Sequence, residues 1–208
     1  MKTKQVSLIL IFTLLVSMAM AQSSAIGKTS FAILGGVNLQ NINGKDESGS
    51  KFENDMIIGY HGGVNVQIPV APEFYFQPGL MFSTKGTKIS TNSYKLSYVE
   101  LPLNFVYKAL VGSGYFMLGF GPYLAYGIGG KDIEFKKEIE SGDNPWTVYK
   151  PFDAGANLFF GYELPSGIFA QLNTQLGLID IRPDANGISG DKSSLRNTGY
   201  GISLGYRF

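Results

Sequence analysis

The sequence predicts an all-β protein: an eight-stranded, antiparallel, up-and-down transmembrane β-barrel preceded by a cleaved signal peptide. Three observations predict this fold class. Several segments alternate between apolar and polar side chains, which is the period of a β-strand that lies between two different environments. Glycine makes up 27 of the 208 residues, and Tyr and Phe are abundant with 12 and 15. Beyond the N-terminal segment the chain has no run of about 18 apolar residues, which argues against a helical membrane protein.

The first 21 residues have the features of a secretory signal peptide. Lys2 and Lys4 precede an apolar stretch, and this stretch ends in the small-residue pattern A-M-A just before Gln22. The apolar stretch is too short for a membrane helix, which is the alternative interpretation. The sequence therefore predicts a signal peptide over residues 1–21 and a single outer-membrane β-barrel domain over residues 22–208.

Charge and cysteine content exclude several classes of function. Removal of Lys2 and Lys4 leaves 15 of the 17 Lys and Arg residues against 16 Asp and Glu, so the mature chain has a net charge of about −1. A protein without a basic field has little attraction for nucleic acid. The chain has no Cys and one His, which excludes disulfides and argues against a zinc site. We expect no nucleic-acid partner, no metal and no cofactor.

The fourth alternating segment, Ser97–Lys108, shows the strand pattern most clearly. Every second residue from Val99 to Tyr107 is apolar, and the opposite face carries Glu100, an amide and Lys108. Its length suits a tilted transmembrane strand of about 9–11 residues. The same alternation, in chain order, places the eight predicted strands at residues 30–40, 57–68, 74–84, 97–108, 115–126, 153–164, 168–179 and 197–208.

The predicted connections alternate in length. Short turns and long polar connections alternate in the same way in bacterial outer-membrane barrels, where the short turns are periplasmic. An even number of strands returns both chain ends to one side, so we expect both termini in the periplasm. The short turns are residues 69–73, 110–114 and 165–167, and the long connections are residues 41–56, 85–93, 127–152 and 180–196.

The polar residues of the predicted strands distinguish a membrane barrel from a soluble one. A soluble secreted ligand-binding barrel would place its apolar face inward and a charge-rich face outward. Asn, Gln, Ser and Gly dominate the polar faces here, and the charged residues concentrate in the long connections. An outward apolar face of this size would be too large for a soluble protein, and a spanning sheet must close on itself.

Several of these strands resemble a known family. The segment Y-V-E-L-P-L-N-F-V-Y-K, residues 98–108, resembles the hallmark fourth strand of the PorT-like outer-membrane β-barrel family. The segments at Gly119–Tyr126, Phe152–Leu164 and 201–208 resemble its fifth, sixth and final strands. The resemblance covers nearly all of the mature chain. It implies an eight-stranded outer-membrane barrel and no defined activity, although namesake members take part in protein secretion and gliding.

The last strand also resembles a general assembly signal. Such signals combine a terminal Phe with alternating aromatic residues and are read by the barrel-insertion machinery. Tyr206 and Phe208 match this pattern. We therefore expect outer-membrane lipid and the insertion machinery as partners, with envelope or secretion proteins as further candidates.

Five charged residues fall on the inward faces of the predicted strands. An eight-stranded barrel has an interior just wide enough for side chains to fill, so these charges need partners. We expect Arg207 to pair with Glu163, near Lys108 at the periplasmic end, and Glu100 to need a different partner. A structural ion-pair network is the main interpretation, and a gated proton or ion path is the alternative. The candidates are Glu100, Lys108, Asp153, Glu163 and Arg207.

Two other features have both a structural and a functional interpretation. His61 could act as the base of a serine hydrolase, but no motif marks a partner serine, and an interior hydrogen-bonded histidine is the simpler expectation. The long connection 127–152 mixes acidic residues with lysines, which is typical of a solvated loop rather than a cation site. Its Trp146 and Tyr149 are candidates for anchoring at the interface or contacting a partner.

Taken together, these features predict a non-enzymatic integral outer-membrane protein of a Gram-negative bacterium. It would be a structural or interaction component of the cell envelope or of a secretion-associated assembly. One alternative is a narrow solute or ion conduit, which needs a continuous wet path past Glu100 and Arg207. Another is a small barrel enzyme, which needs a His–Ser–acid cluster at His61.

Overall fold

The structure is a computed structural model that describes residues 27–45, 49–51, 54–89, 91–131, 133–138, 147–183 and 194–208. The predicted signal peptide (1–21) and Trp146 lie outside these residues. Within the described ranges, no helix is long and apolar enough to cross a membrane.

Eight strands form one closed barrel, as predicted. Each strand pairs antiparallel with the strand before it, and the first strand closes the barrel against the last. Two short parallel strands, β6 and β7, lie in the connection between the fifth and sixth barrel strands. The strands are β1 Ser30–Lys45, β2 Ile57–Ala71, β3 Phe74–Ile89, β4 Asn92–Val111, β5 Gly114–Lys131, β6 Glu134–Phe135, β7 Val148–Tyr149, β8 Phe152–Glu163, β9 Ile168–Gly177 and β10 Ser194–Arg207.

The barrel has two different ends. The short turns after β2, β4 and β8 lie at the end where Phe208 donates its backbone N–H to the carbonyl of Phe31 at 2.8 Å. We call this the turn end. The longer connections lie at the opposite end, which we call the loop end. Glu73 closes the first short turn with a φ of 64°, a left-handed conformation that is uncommon for a residue with a side chain.

The prediction of a loop at residues 85–93 is wrong. β3 continues to Ile89 and β4 begins at Asn92, so these two strands pair almost to their tips. The sequence analysis ended the third strand at Thr84 because the residues that follow are polar. Polar side chains are compatible with a strand where it leaves the membrane, and the ladder supplies the backbone hydrogen bonds there. This correction moves Lys85 from a loop into the barrel wall.

The outer surface is an apolar band between two rings of aromatic side chains. On β5 and β8, ten residues separate the rings, from Phe116 to Tyr126 and from Tyr162 to Phe152. At about 3.3 Å per residue and a tilt of about 40°, this spans about 25 Å, the height of the apolar band of outer-membrane barrels. The two rings include Tyr60, Tyr126, Phe152 and Tyr200 towards the loop end and Phe31, Phe74, Phe116, Tyr162, Tyr206 and Phe208 towards the turn end.

Side chains fill the interior at both ends. Towards the turn end, Phe159 and Phe169 point inward, and two glycines make room for their rings. A Cβ atom on Gly119 would lie 2.2 Å from the Phe159 ring, and one on Gly205 would lie 2.2 Å from the Phe169 ring. At the loop end, buried apolar residues from the strands and the connections form a plug. Its members are Ile42, Leu96, Tyr98, Tyr123, Ala125, Tyr149, Ile181 and Leu195, with Ile133 and Phe135 packed against them.

Candidate functional site

The first charged group in the interior lies near the turn end. Glu163 accepts hydrogen bonds from Arg207 Nε at 2.9 Å and from Lys108 Nζ at 2.6 Å. The guanidinium also donates to Asn65 at 3.3 Å and to Gln77 at 3.5 Å. One carboxylate is therefore shared by two cations. We call Lys108, Glu163 and Arg207 the turn-end triad.

Aromatic rings partly compensate the excess positive charge of the turn-end triad. Lys108 Nζ lies 4.9 Å from the ring centre of Tyr115 and 5.9 Å from that of Tyr75. The Arg207 guanidinium lies 5.5 Å from the ring centre of Phe169. A cation within about 6 Å of an aromatic ring is attracted to the negative face of that ring.

The second charged group lies under the plug and has the opposite composition. Lys85 Nζ is 2.9 Å from Glu100 Oε1 and 3.1 Å from Asp153 Oδ2, so that two carboxylates share one cation. The side chains of Lys85 and Asp153 are completely buried. We call Lys85, Glu100 and Asp153 the loop-end triad.

The loop-end triad is held by further donors. Asp153 Oδ2 accepts hydrogen bonds from Tyr123 Oη at 3.1 Å and from Asn197 Nδ2 at 2.9 Å. The Lys85 ammonium lies 4.4 Å from the ring centre of Tyr123 and 5.1 Å from that of Tyr98. Because both rings belong to the plug, this triad and the plug form one continuous buried unit.

A cavity separates the two triads. It offers about 100 Å³ to the centres of water molecules, enough for several waters. Its lining includes amides and hydroxyls on opposite walls of the barrel together with Glu100. Gln175 Nε2 donates to Glu100 Oε2 at 2.9 Å and so connects the cavity to the loop-end triad.

His61 lies in this cavity and has a serine partner that the sequence analysis did not identify. Its Nε2 is 2.7 Å from Ser203 Oγ, which also accepts a hydrogen bond from Asn173 Nδ2 at 2.9 Å. Among the described residues, no carboxylate is hydrogen-bonded to the other ring nitrogen of His61. The arrangement therefore has a histidine and a serine but lacks the third group that orients the base in a hydrolase triad.

The described residues contain no group of three or more His, Asp or Glu side chains placed to hold a metal ion. In the long connection, Glu134 Oε2 lies 3.3 Å from Lys136 Nζ. Of the other acidic residues in this connection, Glu138 is exposed, and Asp132, Glu140 and Asp143 lie outside the described residues.

Tyr149 is part of the plug and is not at the lipid interface. Only 2% of its surface is exposed, and it packs with Ile181 among the buried residues of the loop end. Burial is the main cause that raises the pKa of the Tyr149 hydroxyl above its ordinary value, with a further contribution from Tyr94. The hydroxyl therefore stays neutral at any physiological pH.

The structure describes all five of the charged residues that the sequence analysis assigned to the interior. Glu163, Arg207 and Lys108 come together, whereas Glu100 and Asp153 lie in the other triad. Sequence analysis missed Lys85, the cation that joins them. One indication was available in the sequence: Gln77, Ser83 and Lys85 share the inward parity of β3. At the C-terminus, the outward rings of Tyr206 and Phe208 pack edge to face with centres 4.9 Å apart.

Comparisons with solved structures find outer-membrane barrels. The outer membrane protein OprG from Pseudomonas aeruginosa is 14% identical, with 86% of this chain and 95% of that chain covered and a TM-score of 0.46. A second similar structure is that of Ail, the attachment invasion locus protein of Yersinia pestis, in complex with the heparin analogue sucrose octasulfate. Its sequence is 11% identical to this chain. That match covers 86% of this chain and 99% of Ail, with a TM-score of 0.40. A comparison with curated protein sequences gives no match.

The family model for the outer membrane protein beta-barrel domain matches residues 20–182, which is most of the 208-residue chain. This match agrees with the closed eight-stranded barrel and its outward apolar band. The chain is a transmembrane protein of the outer membrane and belongs to the outer membrane protein beta-barrel domain family.

Proposed function

We propose that this protein is a non-enzymatic structural or interaction component of the cell envelope or of a secretion-associated assembly. Its barrel is closed, and its partners bind the surfaces outside the membrane. One observation carries the proposal: the turn-end triad, the loop-end triad and the plug fill the two ends of the interior, and the cavity between them has a volume of only about 100 Å³.

The part of the barrel beyond the apolar band supports a role in interaction. A transmembrane strand needs about 9–11 residues, but β4 has 20 and β5 has 18. Tyr126 of β5 pairs with Val99 of β4 at the loop-end aromatic ring, so the earlier residues of β4 lie beyond this ring. A ladder continues through these residues to Asn92. The protein thus presents a rigid, paired platform on which a partner can bind without ordering a loop.

The assignment to a narrower family and the orientation of the barrel in the membrane are also part of this proposal. We propose that the chain belongs to the PorT-like group, which its strand patterns resemble, with both termini periplasmic and the loop end outside the cell. Outward aromatic rings at Tyr206 and Phe208 support a role as the signal read by the barrel-insertion machinery. Because the chain has no Cys, a single Thr91→Cys variant in the exposed β3–β4 turn gives a unique label. A membrane-impermeant maleimide should label it on intact cells, and labelling only after lysis would refute the orientation.

Single-channel recording in a planar bilayer tests the closed barrel. We expect the wild type to be silent at ordinary voltages. Arg207→Ala should also be silent, because the loop-end triad and the plug still close the interior. Discrete openings of the wild type, altered by Arg207→Ala, would instead support a narrow ion conduit.

The His61–Ser203 contact favours a second candidate, a small barrel enzyme. In this candidate, His61 would remove the proton of Ser203 for nucleophilic attack. A fluorophosphonate probe that labels the wild type and fails to label Ser203→Ala would support it. We expect no labelling, because the described residues place no carboxylate on the second nitrogen of His61.

A further inference from the structure

Beyond the ring of aromatic residues at the loop end lie two pairs of lysines. The two members of each pair are directly opposite each other on paired strands. Lys95 of β4 is in register with Lys131 of β5, and Lys45 at the end of β1 is in register with Lys51. All four side chains are exposed. Residues directly opposite on antiparallel strands have Cβ atoms about 4.5–5.5 Å apart, and like charges in these positions are destabilising.

Among the described residues, the strand neighbours of these pairs supply no compensating carboxylate. On its other side Lys95 faces Gly86, which has no side chain, and Lys45 faces Ser194. Among the described residues, none of the four lysines forms an ion pair. Within the part of the chain that the structure describes, each pair therefore concentrates positive charge on the outer wall of the barrel.

A β-bulge places Lys131 in this position. The register of β5 against β4 shifts between Tyr98, which faces Gly127, and Ser97, which faces Gly129. The inward residues of β5 below the bulge have odd numbers, so Lys131 would point into the barrel if the ladder were regular. The extra residue turns its side chain outward beside Lys95. Bulges commonly re-aim a side chain in this way.

The height of the pairs above the membrane indicates what they bind. Lys131 lies five positions after Tyr126, which belongs to the ring of aromatic residues at the loop end. This separation is roughly 10–15 Å along the barrel axis at the usual rise and tilt. That height is at the outer edge of a headgroup layer, and the flexible lysine stem can reach back towards it. A phosphate group has the charge and the acceptor oxygens to be held by two ammonium groups at once.

We propose that the two lysine pairs bind phosphate groups on the headgroup of a phosphorylated glycolipid in the outer leaflet. The pairs lie on nearly opposite walls of the barrel, so each pair holds its own lipid. This inference rests on the proposed orientation, with the loop end outside, which the Thr91→Cys labelling tests separately.

The test uses the full mature chain in detergent micelles and native mass spectrometry. The probes are a bisphosphorylated glycolipid, its dephosphorylated form and inorganic phosphate. Lys95→Gln with Lys131→Gln removes one pair, and adding Lys45→Gln with Lys51→Gln removes both. A matched control, Lys28→Gln with Lys137→Gln, removes the same charge from two other exposed lysines.

We expect the wild type to prefer the bisphosphorylated glycolipid and the first double variant to bind it about ten- to thirtyfold more weakly at one of two sites. The quadruple variant should lose both sites, and the control should match the wild type. Equal losses in the control would attribute binding to overall charge and overturn the proposal. Equal binding of the dephosphorylated lipid, or displacement by inorganic phosphate at the same concentration, would also overturn it.

Discussion

The two triads inside the barrel have opposite charge compositions and different surroundings. The turn-end triad has two cations on one carboxylate, keeps a small exposed edge and has amides as additional partners. The loop-end triad has two carboxylates on one cation, and its lysine is completely buried beneath an apolar plug. In each triad, one residue carries the charge opposite to that of the other two residues and forms an ion pair with both of them. These central residues are Glu163 and Lys85.

This difference predicts which residues matter most for stability. Removing the central residue leaves two like charges buried together, whereas removing an outer residue leaves a neutral pair. A buried charge without its partner is far more costly than a pair that is absent altogether. The penalty should also be greater where a remaining charge is completely buried, as Asp153 is at the loop end.

The largest effect should come from Lys85→Met. This change leaves Glu100 and the completely buried Asp153 side by side without a cation, so we expect a loss of at least about 3–5 kcal/mol in the free energy of unfolding. Urea unfolding in micelles, followed by far-ultraviolet circular dichroism, measures this loss.

Two further variants separate charge from packing at the same position. The triple variant Lys85→Met, Glu100→Gln, Asp153→Asn should regain most of the stability, because no buried charge remains. Glu100→Gln alone should cost clearly less than Lys85→Met, since a Lys85–Asp153 pair survives. If Lys85→Met lowers the free energy of unfolding by less than about 1 kcal/mol, Glu100 and Asp153 do not need the Lys85 charge to remain buried.

Glu163→Gln should have the next largest effect, about 2–4 kcal/mol in the same urea experiment. The loss is smaller than for Lys85→Met because Asn65 and Gln77 still accept hydrogen bonds from Arg207, and the Lys108 ammonium has some access to water. Lys108→Met serves as the matched control and should cost less than Glu163→Gln, since the Arg207–Glu163 pair remains neutral. A greater cost for Lys108→Met than for Glu163→Gln would refute the central role of Glu163.

The sequence was sufficient to predict the barrel. Two-residue alternation depends only on side-chain chemistry, and each of the eight predicted strands overlaps a strand of the structure. The ends of the strands were less predictable, because the alternation was followed only where one face was apolar. Beyond the membrane the outward faces of β3 and β4 are no longer apolar, so the pattern that marks a membrane strand disappears although the ladder continues.

The interior could be predicted only in part for a related reason. Parity along a strand predicts which side chains point inward, so the five charged candidates followed from the sequence. Which of them meet depends on the stagger between strands that are distant in the chain, such as β3 and β8 for Lys85 and Asp153. The contact between His61 and Ser203, which are 142 residues apart, likewise had no sequence motif to mark it.

The smallest effect should come from the cavity between the triads. Ser203→Ala removes the hydroxyl that meets His61 and Asn173, but water in the cavity can replace it as their partner. We therefore expect a loss of about 0.5–1 kcal/mol, and a similar loss for His61→Gln. A loss from Ser203→Ala above about 2 kcal/mol would mean that water does not compensate. Substitutions in the cavity would then be as costly in the free energy of unfolding as those in the triads. The expected difference between the charged ends and the centre of the barrel would be refuted.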